Sequence, residues 1–508
     1  MRPVYYRAKP VRLAWVEPVA GMIVTDAGRE LVARPGAGRK RPNLADLADT
    51  LAAAGVDRAY LTGGAFPAAW LTFADPDRSG WVPGPRGHYD DKADPRLDLV
   101  RDTPAGPQRL DLRRATSWGV PETATPRQLR DAWEALTAAL GARFRPPTGV
   151  GLMLATPTAT GQQLLALALP AEWSGELLDP EAAELVRRTS PQHRVETPGA
   201  CYGTCPEHRA RPAVPPAVVT YLDARFTYAS LTMGLGVGPA RMLTAEQACS
   251  LLDSNPYARA RLRVNVTVPD WWEHPGLLMA PHRDGRHWHA PDKPGHVFQT
   301  WADLVELTAA RAYGWGIEPL EGLAFTEGIR PLDTWTRRLV DVHAGATAAG
   351  HDVARIAARM VRAILLRTVG AFHSTGRDVT HTAAVPLDVP SAGVTWRRDL
   401  PDGRVIYRVR AEPTGAARAH ARPELSSQVW ARAHARLHTA PGGAGFMALP
   451  PEAVWGMWGD ALYLATGNPE WPDDGKPGRY RVKGTSPTPV DRPAGVGALL
   501  TLRDTIGD

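Results

Sequence analysis

Two aspartates and a row of arginines are the residues of this chain whose types and spacing could do chemistry. The apolar run Ala217-Val218-Val219 leads into Leu222 and delivers Asp223 to its end, with Tyr228 and Ser230 close behind. A short buried strand ending in a carboxylate places a hard oxygen ligand at the rim of a sheet, where Mg²⁺ can sit. Far downstream, Ala453 to Leu464 reads as a hairpin with Asp460 at its bend. Between them Arg355, Arg359 and Arg362 fall at i, i+4 and i+7 of a helix whose opposite face is Val353, Ile356, Met360 and Ile364. Two carboxylates can bridge a pair of Mg²⁺ ions ~3.5–4 Å apart. A row of guanidiniums can neutralise a triphosphate with bidentate geometry. That is the equipment of nucleotidyl transfer. Each part also has a plainer reading: a strand-end aspartate commonly closes a turn, and an arginine stripe is commonly a solvated helix face.

The elements that must position these residues follow from periodicity. A strand over Gly21–Thr25 is followed by a helix capped by Asn43, with Leu44, Leu47, Leu51 and Ala54 on one face, and a strand over Val56–Leu61. Residues 74–108, rich in Pro, Gly and Asp, read as a surface loop carrying Trp81 and Tyr89. A helix over Thr125–Leu140 starts at Pro126, and another surrounds Leu164–Leu167. Pro198 to Pro216 reads as a linker. Arg261–Val268 alternates as a half-buried strand, and 281–296 as a histidine-rich hairpin tip with His282, His287 and His289. Helices over Trp301–Tyr313, Pro331–Val342 and Val353–Thr368 and a strand over Ile317–Phe325 follow. After Gly370 come strands at Gly393–Arg397 and Val405–Arg410 and a helix near Ser427–His438.

The 508 residues allow two to four domains, with 44% hydrophobic and 22% charged residues, an ordinary globular balance. The net charge of +6 permits a polyanionic partner without demanding one. No apolar run reaches eighteen residues and the N-terminus lacks a signal peptide's apolar stretch, so a cytoplasmic protein with no membrane partner is expected. Three cysteines, Cys201, Cys205 and Cys249, fit a reducing compartment. Cys201 and Cys205 lie near His208, but a fourth zinc ligand at suitable spacing is missing, so free thiols are expected.

The order and wording of the chemical parts resemble the family B DNA polymerases, especially the protein-primed branch. Asp223-Ala-Arg-Phe-Thr-Tyr228-Ala-Ser230-Leu is similar to motif A, D-x-x-S-L-Y-P-S-I; Arg362-Ala-Ile-Leu-Leu366-Arg367-Thr-Val369-Gly370 is similar to motif B, K-x-x-x-N-S-x-Y-G; and Gly459-Asp460-Ala461-Leu462-Tyr463 resembles the end of motif C, D-T-D-S-I-Y. The resemblance implies that Asp223 and Asp460 are catalytic and bind two Mg²⁺ ions, or Mn²⁺. It implies that Tyr228 packs under the incoming sugar and that Arg355, Arg359 and Arg362 hold the nucleotide. Arg367, Arg481 and Lys483, the last two in the basic segment Gly478–Gly484, would contact DNA. The pattern is broken at Leu366, Val369 and Trp458, which stand for asparagine, tyrosine and the first motif C aspartate. The family's Y-x-G-G turn falls on Ser190–His193 and is not matched.

The expected fold is α/β, an α+β multidomain chain. An RNase H-like domain at 1–145 has lost its exonuclease, since Thr25-Asp26-Ala27-Gly28 lacks D-x-E; Asp131 is read as a solvated helix residue. A connecting segment spans 146–216, a palm with insertion 217–300, fingers helices 301–380, a palm return 381–470 and a thumb 471–508. The expected function is template-directed DNA synthesis for a plasmid, phage or mobile element. Its partners would be DNA template and primer, dNTPs and a terminal priming protein. Two alternatives stand beside it: an inactive, polymerase-derived DNA-binding protein, and a metal-dependent enzyme using the His282–His289 loop and the cysteines.

Overall fold

The structure is a computed structural model. It describes residues 11–506 apart from 37, 64–79, 90–95, 170–177, 191–194, 197–204, 210–212, 226, 236–238, 256–257, 283–287, 326–329, 374–376, 400–402, 404, 412–420, 440–444, 472 and 474–477. Cys201, His287 and most of the Ser190–His193 turn therefore lie outside the described residues. The chain forms two compact units, one of residues 2–173 and 337–421, the other mainly of 174–336 and 422–508. Among the described residues no helix is long and apolar enough to cross a membrane.

The first unit is built on a seven-stranded sheet. Its strands run in the order Glu30–Val32, Met22–Thr25, Leu13–Glu17, Arg58–Leu61, Gln108–Arg114, Arg96–Arg101, Val82–Tyr89. Leu13–Glu17, Arg58–Leu61 and Gln108–Arg114 are mutually parallel, and the remaining pairs are antiparallel. Asn43 caps the helix Leu44–Ala53 as its sequence foretells, in a reciprocal box with Asp46. The expected surface loop at 74–108 is corrected: it holds two strands of this sheet, and Trp81 is buried with Leu97 and Leu99 in the core. Proline and glycine density misled there, because the edge strand Val82–Tyr89 tolerates both.

Among the described residues the first strand is Leu13–Glu17, not Gly21–Thr25, and it too lacks D-x-E. Trp15 on that strand and Tyr60 on its parallel neighbour pack with Trp118 and Trp133, ring centroids 4.9–6.5 Å apart. Asp131 pairs with Arg130 at 2.8 Å. The helix Asp352–Ala371 crosses Pro126–Phe144 and Pro157–Ala168 in the same unit. It comes so close at Gly161 that a Cβ there would lie 1.8 Å from the Thr368 hydroxyl. A three-stranded sheet, Arg377–Ala383, Val405–Ala411, Val394–Asp399, completes the unit.

The second unit holds two antiparallel sheets about one core. In the larger the strands run Tyr480–Thr485, Thr220–Ala224, Ala461–Leu464, Val454–Trp458, Val195–Glu196. In the other they run Ala240–Thr244, Gly316–Phe325, Ala260–Thr267, Val297–Asp303. Leu222, Leu462 and Leu464 of the first meet Leu262, Val264 and Ala302 of the second in a shared apolar cluster. Strand alternation sends Val219, Tyr221, Ala461 and Tyr463 to the opposite face, onto Leu499 and Leu502 of the helix Val496–Ile506.

Three expectations for this unit are corrected. Trp301–Asp303 ends a strand, and the helix begins only at Leu304, where Asp303 caps it in a box with Glu306. Arg261, expected on a half-exposed strand, is fully buried. It bonds the Asp303 carboxylate at 2.5 Å, the Trp301 carbonyl at 3.0 Å and the hydroxyl of Thr189 at 2.8 Å. The segment expected as a linker is not free along its length, since Cys205–Arg209 packs onto His282, His289 and Asp292.

Candidate active site

Strand pairing brings the two aspartates together. Asp223 is the penultimate residue of the interior strand Thr220–Ala224 and stands opposite Ala461, so Asp460 at the preceding hairpin bend lies beside it. Tyr221 and Tyr463, also directly opposite, stack with centroids 4.9 Å apart and planes 8° from parallel, which secures that register. The bend is the two-residue connection Gly459-Asp460 between the paired Trp458 and Ala461. Gly459 has φ +62°, and a Cβ on it would lie 2.7 Å from the Tyr228 hydroxyl. Glycine is thus required twice, by the left-handed turn and by the approach of the tyrosine.

Tyr228 sits on the one-and-a-half-turn helix Thr227–Leu231 that follows the strand, its ring edge-on to Trp430 at 6.4 Å. The Tyr228 phenol lies next to the Asp460 carboxylate. Burial, then the charges of Asp460 and Asp223, push this phenol well above its ordinary range. Asp460 is itself raised to about 7, first by burial and then by the Asp223 charge. The Thr227 hydroxyl and Lys483 pull the other way. The Lys483 ammonium stands 3.4 Å from Asp223 Oδ2 and 5.3 Å over the Tyr221 ring. Lys483 thus stands against Asp223 and opposes the raised pKa of Asp460.

The frame around the pair is polar and braced. Arg225 clasps Asp473 in a two-pronged contact of 2.8 and 2.7 Å, and its backbone N–H donates to the Arg479 carbonyl at 2.8 Å. Burial, then Asp460, raises the Tyr480 phenol, with Arg436 opposing. Arg436 donates to the Gly478 carbonyl at 3.3 Å. Arg481 lies opposite Asp223 on the adjoining strand. Trp458 supplies no carboxylate; its ring carries the Arg503 guanidinium, 4.1 Å from the centroid.

Of the residues chosen from the sequence, the structure groups Asp223, Asp460, Tyr228, Arg481 and Lys483. Arg355, Arg359, Arg362 and Arg367 belong to the other unit, on the helix Asp352–Ala371. Arg355 and Arg359 are exposed and Arg362 half-buried, on the face opposite the buried Ile356, Met360 and Ile364. Arg355 is tied to Asp352 and to the Gly350 carbonyl, and burial, then Arg362, lowers the pKa of His343. Sequence reasoning missed Thr227, Tyr480 and Arg503 at the site. Thr227 lay inside the motif A wording, whereas Tyr480 and Arg503 have no local signal because sheet pairing and the last helix bring them in.

No family model matches the chain, and no curated protein does. Among solved structures it is similar to the phi29 DNA polymerase complexed with primer–template DNA and incoming nucleotide substrates. That match has a TM-score of 0.51 and 10% identity, covering 94% of this chain and 85% of the other. It is also similar to the phi29 DNA polymerase complexed with primer–template DNA after translocation, with a TM-score of 0.52, 11% identity and the same coverage. The chain has the fold of that polymerase.

Proposed function

We propose that the protein is a template-directed DNA polymerase of the protein-primed family B type, acting by nucleotidyl transfer at Asp223 and Asp460. The observation that carries the reading is the pair itself. Two carboxylates from adjacent antiparallel strands repel each other's charge and have one lysine between them. Mg²⁺ is bound through one or two carboxylates plus substrate phosphates rather than in an all-protein cage. The two aspartates fit that mode, with no cluster of three ligating side chains among the described residues. When bound, the ions would activate the attacking hydroxyl and stabilise the leaving pyrophosphate.

The chain's own residues do the rest. Tyr228, held by Asp460 and walled by Trp430, offers a flat apolar surface beside the carboxylates for the incoming deoxyribose. Lys483 stands 3.4 Å from Asp223 and would yield its place to a bound cation. Arg355, Arg359 and Arg362 present three guanidiniums along one helix face for the triphosphate. Arg367 and Arg481 serve the DNA backbone. The neighbours' complexes with primer–template DNA and nucleotides support DNA and dNTPs as partners. The strand order of the first unit, a three-stranded antiparallel meander joined to parallel strands, supports an RNase H-like domain. Its strands Leu13–Glu17 and Met22–Thr25 carry no D-x-E, which favours synthesis without proofreading. A plasmid, phage or mobile element is the replicon, with a terminal protein as primer.

A second reading, an inactive DNA-binding derivative, is favoured by one observation: Trp458, where the family has its first motif C aspartate, is committed to Arg503. Purified protein with a primed template, dNTPs and Mg²⁺ separates the two. Templated extension supports the enzyme; salt-dependent binding without incorporation supports the derivative.

A further inference from the structure

One cluster in the second unit takes no part in that chemistry. The turn Cys205–His208, closed by the His208 N–H on the Cys205 carbonyl at 3.3 Å, packs against the hairpin formed by Ala280–Pro281 and Trp288–His289. Cys205 Sγ lies 2.9 Å from His282 Nε2, and His208 Nε2 lies 3.2 Å from His289 Nδ1. The His289 ring is 5.2 Å from both the His208 and the His282 rings. Four soft or borderline donors thus meet where the sequence alone had shown too few at suitable spacing. We propose that Cys205, His208, His282 and His289 bind one structural Zn²⁺ ion, a Cys-x₂-His turn and a His-x₆-His hairpin supplying two ligands each.

The donor chemistry fits. His208 Nδ1 faces the buried Asp292 carboxylate at 3.2 Å, and Asp292 also accepts from the Arg209 N–H at 3.0 Å. With the Nδ1 proton given to Asp292, the Nε2 of the neutral ring carries only a lone pair, and it points at His289. A carboxylate behind a histidine in this way fixes tautomer and orientation for a metal on the far nitrogen. Tetrahedral zinc with N ligands at about 2.0–2.1 Å and S at about 2.3 Å separates two nitrogens by roughly 3.3 Å and sulfur from nitrogen by roughly 3.5 Å.

The His208–His289 separation already matches, while the Cys205–His282 contact must open by about half an ångström. No three of these donors stand in ligating positions around a single point among the described residues, so the side chains close on the ion as it binds. Cys205, the His208 side chain and His289 are buried and His282 is half-buried, so four protein ligands are available to fill a tetrahedral site. That is the form of a structural rather than a catalytic site. The thiolate and imidazoles select zinc, whereas the paired aspartates select Mg²⁺, so the two sites do not compete.

The test is metal analysis of the purified full-length chain after dialysis into metal-free buffer, with Co²⁺ exchange as a spectroscopic probe. The expected result is about one zinc per chain. The Co²⁺ form should show the visible bands of tetrahedral cobalt and one thiolate charge-transfer band. Cys205→Ser should lose both metal and band, and Cys249→Ser should keep them. His289→Cys should keep one metal and roughly double the thiolate band, which decides the matter even if Cys205→Ser fails to fold. Wild-type protein with neither zinc nor the Co²⁺ bands would overturn the proposal, as would an unchanged Co²⁺ spectrum in His289→Cys. Neither readout requires polymerase activity, so the proposal stands or falls apart from the nucleotidyl-transfer reading.

Discussion

Asp460→Asn should stabilise the protein in the absence of divalent ions, by an amount that opens above about pH 4 and is full at about pH 8. The folded-state pKa of Asp460 is raised from 3.8 to about 7, by burial and then by Asp223. A carboxyl raised in this way is bound to its proton more tightly in the native state than in the unfolded chain. Native stability is therefore greatest below the unfolded pKa and declines as pH rises through the folded one. Roughly three pKa units at 1.36 kcal/mol each set a ceiling of about 4 kcal/mol, and partial solvent contact brings the expected gain to ~2–4 kcal/mol at pH 8. Removing the charge removes the penalty, so the variant should match wild type near pH 4 and exceed it at pH 8.

Denaturant titrations followed by tryptophan fluorescence across that range, in chelator, measure the difference directly, since other titrating groups cancel between the two proteins. Mg²⁺ should then narrow the gap at pH 8 by stabilising only the wild type. Equal stability of the two proteins at pH 8, or a gap that is widest at pH 4, would refute the reasoning.

Other perturbations follow from the same geometry. Gly459→Ala meets both a left-handed turn and the Tyr228 hydroxyl at 2.7 Å, and should lose about 1–3 kcal/mol in chemical denaturation. Adding Tyr228→Phe should recover part of that loss, and a strictly additive pair would mean that the two do not touch. Arg261→Ala strands the buried Asp303 carboxylate and should cost about 3–5 kcal/mol, while Arg261→Ala with Asp303→Ala should cost less than the single change. Tyr228→Ala should admit ribonucleotides more readily in a single-turnover incorporation assay. Unchanged discrimination would remove the tyrosine from the sugar pocket.

Much of the site was legible because it is carried by local pattern. An apolar run ending at Asp223 and a hairpin bending at Gly459-Asp460 are short-range signals, and each element formed where its pattern put it. The Arg355–Arg359–Arg362 stripe likewise needs only helical spacing. What could not be read was whatever depends on pairing across the chain. Lys483, read from the sequence as a DNA contact, also reaches Asp223 through the adjoining strand, which no local pattern signals. Arg261 lies on a strand that alternates as expected, yet Asp303 of the paired strand and the helix residues Thr189 and Ser427 bury it. The strands at 82–101 were hidden by proline and glycine, and Cys205 met its histidines only when residues 205 and 282 were folded together.

The central claim is that Asp223 and Asp460 carry templated nucleotidyl transfer. Single-nucleotide incorporation on four primed templates, differing only in the templating base, tests it most directly with Mg²⁺ and one dNTP at a time. The account predicts that wild-type protein adds only the complementary nucleotide and that Asp223→Ala and Asp460→Ala add none while still binding the DNA. Incorporation at wild-type rate by either variant, or none by the wild type under any metal, would contradict it.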